Sequence, residues 1–207
     1  MLNAKQMVNR LNQGKKVNAK DPFAITPLLK RIEKSGSASI DLRLGTWFVT
    51  LRPARMPCLK VEEDEKNGNS SPSQFTKTSY IPFGEKYYLH PRGFVLGITL
   101  EWLCMPRDLA GYLIGRSSWG RRGLIIATAT GVHPGFKGCL TLELSNVGEI
   151  PIELEPGMEV CQLFIHKIQG RPPKEIDHSQ FFGLRKPVPG NVKPDEIAKI
   201  LAKASKP

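Results

Sequence analysis

Between Tyr80 and His166 the chain is a succession of short runs rich in β-branched and aromatic residues, each closed by Gly or Pro. That pattern decides the fold class. Tyr87–Leu89, Phe94–Leu100, Ala110–Ile114, Leu124–Thr128, Cys139–Ser145, Ile150–Leu154 and Glu159–His166 read as strands. Upstream, Ser37–Leu44 (SASIDLRL) alternates, with Ile40, Leu42 and Leu44 on one face and Asp41 and Arg43 on the other, and Trp47–Leu51 continues the pattern. Many short strands must stack or close their sheets to hide the edges. The expectation is a mainly β protein: a sandwich, a jelly roll or a distorted β-barrel. Helical spacing is confined to the ends. In Ala4–Gly14, Met7, Val8 and Leu11 share a face and Gly14 is a stop signal. Pro194–Ser205 (PDEIAKILAKAS) opens with Pro and acids. Between these elements Pro22 and Pro27 break the pattern.

The 207 residues fit one domain, 1–207, long enough to bury a core without metal or disulfide staples. Val61–Thr78 is charged and then Gly/Asn/Ser-rich, and reads as an exposed loop within that domain. Residues 177–207 are expected to form a C-terminal lid or tail. Cys58, Cys104, Cys139 and Cys161 are widely spaced with no Cys-x-x-Cys pair, which excludes a zinc ribbon and fits reduced, mostly buried thiols. No run approaches ~20 apolar residues, so no membrane span is expected, and the first residues lack an apolar signal core. Cytoplasmic residence is the expectation. Thirty Lys and Arg against nineteen Asp and Glu give a net charge of +11, which suits either a polyanionic ligand or a merely soluble surface.

Two segments carry chemistry. Gly115–Gly123 (GRSSWGRRG) sets Arg116, Arg121 and Arg122 around Ser117 and Ser118, with Ser118 as a candidate N-cap of a short helix. Arginine forks and free N–H groups suit a phosphate chain; the plainer reading is a turn with a solvated basic face. The segment is not a P-loop. In Thr128–Asn146 (TATGVHPGFKGCLTLELSN) the Pro134–Gly135 turn leads into a strand. Leu140, Leu142 and Leu144 face one way there, and Thr141, Glu143 and Ser145 the other. Glu143 is thus mid-strand, outside the leucine face, either as an acid/base group or as a surface glutamate. The signature of zinc-dependent deaminases, H-x-E followed by P-C-x-x-C, does not occur, so a zinc-activated water is not expected.

SASIDLRLG (Ser37–Gly45), GRSSWGRRGL (Gly115–Leu124), PGFKGCLTLELSN (Pro134–Asn146) and PIELEPGMEVCQLF (Pro151–Phe164) together resemble, in family order, the dCTP deaminases, which share a fold with trimeric dUTPases. The resemblance implies a distorted, dUTPase-like β-barrel or jelly roll assembled as a homotrimer, with active sites between subunits and magnesium carried on the substrate triphosphate. It implies Glu143 as the proton-transfer residue, assisted by Ser117 and Arg121. It further implies nucleotide contacts from Arg116, Ser117, Ser118, Arg121, His133, Thr141, Leu142, Glu143, Gln180 and Leu184, and no protein metal ligands. The implied reaction is hydrolytic deamination of dCTP to dUTP. A dUTP diphosphatase, a bifunctional enzyme and a non-catalytic nucleotide sensor on this fold are the alternatives, and nucleic acid is not an expected partner. Two departures stand out. His133 replaces the Asp that family members commonly carry before the Pro-Gly turn, where it contacts the sugar 3′-hydroxyl or, in dUTPases, orients the attacking water. The family tail, similar to K-Y-x-G-Q-x-G-P, here reads Gln180-Phe181-Phe182-Gly183-Leu184-Arg185-Lys186-Pro187.

Overall fold

The structure, a computed structural model, describes residues 1–16, 18, 20–30, 32, 38–52, 75–127, 131–170, 180–190 and 195–204. Its two largest sheets are antiparallel. One has the order β10 (Gly131–Val132), β8 (Leu109–Gly115), β14 (Glu159–Lys167), β2 (Ser39–Arg43). The other runs β4 (Thr76–Tyr80), β3 (Trp47–Leu51), β6 (Phe94–Ile98), β12 (Thr141–Asn146), β9 (Leu124–Ile126). Two small sheets, β1 (Ala24–Thr26) with β7 (Trp102–Cys104) and β11 (Lys137–Gly138), and β13 (Ile152–Leu154) with β5 (Tyr87–Leu89), complete the strands. The mainly β class is as read from the sequence. The described strands divide into four sheets rather than closing one ring.

The alternation of the sequence explains the packing. Ile40, Leu42, Leu113, Leu163 and Ile165 from the first large sheet meet Phe48, Val95, Leu142 and Leu144 from the second in one buried cluster. Fully burying such a side chain contributes ~1.5–3 kcal/mol. Helix α1 (Ala4–Gly14) adds Met7 and Leu11 to this core and is capped by Asn3, whose side chain accepts from the Gln6 N–H at 2.9 Å. A two-bond fork from Arg10 to Asp108, 2.6 and 2.7 Å, ties α1 to the sheet and holds the Asp108 carboxyl below the usual range.

Several expectations shift. Ala24–Thr26, between the two prolines, forms a strand because it pairs with Trp102–Cys104, a partner too distant for local pattern to show. Residues 61–74 of the expected exposed loop lie outside the described residues, whereas Thr76–Thr78 belong to β4, paired with Val49–Leu51 of β3. Strand β12 starts at Thr141 rather than Cys139. The Cys139 N–H is taken by Leu184 O (2.9 Å) and the Leu140 N–H by Thr99 Oγ1 (2.9 Å), so neither joins the ladder. At the C-terminus, α3 (Glu196–Ala204) opens on Asp195, whose carboxylate accepts from the Ile197 and Ala198 N–H groups.

Candidate active site

Strand β12 organises the site. Its register places Glu143 opposite Leu96 and Thr141 opposite Ile98 on β6, and Leu96 in turn opposite Val49 on β3. Side chains at directly opposed positions share a face. One face of the sheet therefore carries buried Val49, Leu96 and Ile98 beside half-buried Thr141, Glu143 and Ser145. Buried apolar side chains thus flank a more exposed polar row on this face, and Thr141, Glu143 and Ser145 are its accessible groups. Leu142 is fully buried on the opposite face, so only its main chain can reach a ligand.

The two ends of β12 meet the two other site segments. At the far end Asn146, fully buried, donates from Nδ2 to Leu89 O and Ile150 O and accepts from the Gly148 N–H, all at 2.9 Å. Val147 N donates to Gly123 O at 2.9 Å, which anchors the turn following α2 (Ser117–Gly120). Gly123 has φ +90, and a Cβ there would lie 2.9 Å from the Gly148 nitrogen, so this junction requires glycine. Ser117, Ser118 and Arg121 are exposed on this turn. The N-cap of α2 is Arg116, with extended backbone and no side-chain cap, and not Ser118. A single helical turn has only a small dipole, so any grip on phosphate falls to the side chains.

At the near end, the tail packs beside Lys137–Cys139. Gly183 N donates to Lys137 O at 2.7 Å and Leu184 O accepts from Cys139 N at 2.9 Å. The guanidinium of Arg185 lies 4.6 Å from the Trp102 ring centre and the Lys186 ammonium 3.9 Å from that of Trp47. These two cation–π contacts latch this strap, residues 180–190, across strands β7 and β3. Leu184 is thus placed near the start of the strand bearing Glu143, with Gln180 four residues before it in the chain. His133 is exposed and begins the turn closed by Phe136 N donating to its carbonyl at 3.2 Å.

Arg116 sits in a charge network that the sequence did not announce. Asp41 of β2 and Glu159 of β14 both pair with it, and both also receive Lys30, while Arg43 joins Glu159. Burial pushes the Asp41 carboxyl up, but hydrogen bonds from Lys30 and Gln162 and the charge of Arg116 outweigh this and hold it below the usual range. Close by, the nearly fully buried Glu101 accepts from the Arg43 N–H at 2.9 Å; burial pushes its pKa up to about 7. The only sequence signal for this network was the polar side of SIDLR. Its partners come from distant strands.

Among the described residues no group of three or more His, Cys, Asp and Glu is placed to hold a metal ion, and no helix is long and apolar enough to cross a membrane. Cys139 and Cys161 are buried free thiols and Cys104 is half-buried.

A family model described as dCTP deaminase-like matches residues 1–168. The chain belongs to that family. It is 40% identical over 152 residues to the dCTP deaminase of Halorubrum lacusprofundi, covering 73% of this chain and 72% of that one. It is 35% identical over 164 residues to the "dCTP deaminase, dUMP-forming" of Methanobrevibacter smithii, covering 79% and 78%. Among solved structures, the 2′-deoxycytidine 5′-triphosphate deaminase of Agrobacterium tumefaciens aligns with a TM-score of 0.47 and 23% identity, over 61% of this chain and only 37% of that longer one. The matched family region stops before the Gln180–Gly190 strap, so the latch described above lies outside it.

Proposed function

We propose that this chain hydrolyses the 4-amino group of the cytosine of dCTP, with water consumed and dUTP and ammonia formed, and that Glu143 moves the proton. The observation that carries the reading is the half-buried carboxylate of Glu143, set in a polar row beside buried Val49, Leu96 and Ile98, in a chain of this family. With the ring beside that polar row, Glu143 takes a proton from a water as its oxygen attacks C4, and passes the proton to ring N3. The resulting tetrahedral carbon holds one hydroxyl and one amino group. Glu143 then moves the hydroxyl proton to the amino nitrogen, the C–N bond breaks, ammonia leaves and the carbonyl forms. Positioned acid/base transfer of this kind contributes ~10²–10⁴-fold. Ser117 and Arg121 stand as donors toward the water and the developing charge, and Arg116 with Ser118 toward the phosphates. The substrate is the magnesium complex of dCTP, the ion travelling on the triphosphate.

The Ser117–Arg121 turn and the strap flank opposite ends of β12. This supports sites completed between copies in a homotrimer of about three times 23.1 kDa, working in the cytoplasm. Sedimentation at micromolar concentration tests it: a fully active monomer contradicts it.

A second reading, release of dUMP and pyrophosphate after deamination, is favoured by the dUMP-forming name of relatives such as that of Methanobrevibacter smithii. It is weakened by His133, which is not a carboxylate. Ammonia and pyrophosphate measured together on dCTP and on dUTP separate the two. Ammonia without pyrophosphate supports deamination alone; both support the coupled reaction; nucleotide binding with neither product overturns both in favour of a sensor.

A further inference from the structure

One residue of β14 grips the Arg116 turn twice. The main-chain carbonyl of Glu159 accepts from the Trp119 indole N–H at 2.9 Å, with Val160 O accepting from Arg116 N at 3.0 Å beside it. The Glu159 carboxylate reaches the Arg116 side chain itself, hydrogen-bonding Nη1. Asp41 Oδ1 meets the same Nη1 at 3.2 Å. Both acids therefore hold the guanidinium by Nη1, and these contacts do not use its Nε–Nη2 edge. That edge carries two parallel N–H groups, the geometry that meets two phosphate oxygens at once. Glu159 is itself fixed: its other carboxylate oxygen accepts from Arg43 Nη2 at 2.8 Å and from Lys30 Nζ at 3.4 Å, and its side chain is only 20% exposed. An arginine already held loses less rotamer freedom on gripping an anion than a free one.

We propose that Glu159 is a positioning residue for triphosphate recognition, holding Arg116 by Nη1 so that the Nε–Nη2 edge faces the phosphate chain. The proposal rests on the reading of Arg116 as a phosphate contact. Glu159 touches no substrate and acts through Arg116 alone.

The test is a double-mutant cycle on the full chain, with dissociation constants for magnesium dCTP and for deoxycytidine measured by calorimetry in wild type, E159Q, R116A and the double variant. Glu159→Gln leaves the main-chain bond to Trp119 intact and removes only the charge. It should weaken dCTP roughly three- to tenfold, leave deoxycytidine unchanged, and add nothing in the Arg116→Ala background. Additive weakening, equal weakening of deoxycytidine, or tighter dCTP binding would each overturn the proposal. If Arg116→Ala itself weakens both ligands equally, it is the phosphate reading of Arg116 that fails. Should E159Q not fold, Glu159→Asp draws the carboxylate one methylene back from Nη1 while keeping the charge, and carries the same cycle with the same expectation.

Discussion

Replacing Glu101 by glutamine isolates the cost of a single buried charge. The side chain is 3% exposed, and burial pushes its pKa up to about 7 from an ordinary 4.5. Between those values the unfolded chain has released the proton while the folded chain keeps it. This group's contribution is thus most favourable below about pH 4.5 and is progressively lost as pH rises through 7. From pH 5 to pH 8 the loss is about 2–3 kcal/mol, at ~1.4 kcal/mol per pH unit of separation. For a chain of this length each kcal/mol moves Tm by ~2–4 °C, so the wild type should lose roughly 5–10 °C more than Glu101→Gln over that interval. Glutamine keeps an oxygen that can accept the Arg43 N–H, so the comparison removes the ionisation and not the contact. Thermal unfolding of both proteins from pH 5 to pH 8 is the assay. All other titrating groups are common to the two, and their effects cancel in the difference between the curves. Parallel curves would refute the assignment of a raised, burial-driven pKa to Glu101.

Two further outcomes are specific to this chain. His133→Ala should raise KM for dCTP roughly fivefold while leaving 2′,3′-dideoxy-CTP unchanged, the worth of one hydrogen bond to the 3′-hydroxyl at ~1 kcal/mol; equal effects on both would make His133 a turn residue only. Arg185→Ala removes the cation–π contact with Trp102 and should speed hydrogen exchange at the Cys139 and Gly183 amides by roughly two- to fivefold, while unchanged exchange would show that the strap is held without it.

What the sequence made legible was local. Alternation in SASIDLRL and TLELSN located β2 and β12 and separated buried Ile40, Leu42, Leu142 and Leu144 from the polar row containing Glu143. Capping and spacing located α1 and, to within two residues, α3. What escaped was set by distant partners. Ala24–Thr26 is a strand because of Trp102–Cys104, and Cys139 leaves the ladder because the strap takes its N–H. The grip of Asp41 and Glu159 on Arg116 joins β2, β14 and the turn after β8, and no local pattern encodes it. Read in sequence, Arg116 is a basic residue in a glycine- and serine-rich turn. In the fold it is a held fork.

The most direct test of the account is steady-state and single-turnover ammonia release by Glu143→Gln with magnesium dCTP, alongside the dissociation constant of that complex. Glutamine preserves shape and hydrogen bonding but cannot accept a proton. Turnover should fall by ~10²-fold or more with dCTP affinity within a few-fold of wild type. Near-wild-type ammonia release by this variant would contradict the assignment of Glu143 as the proton-transfer residue.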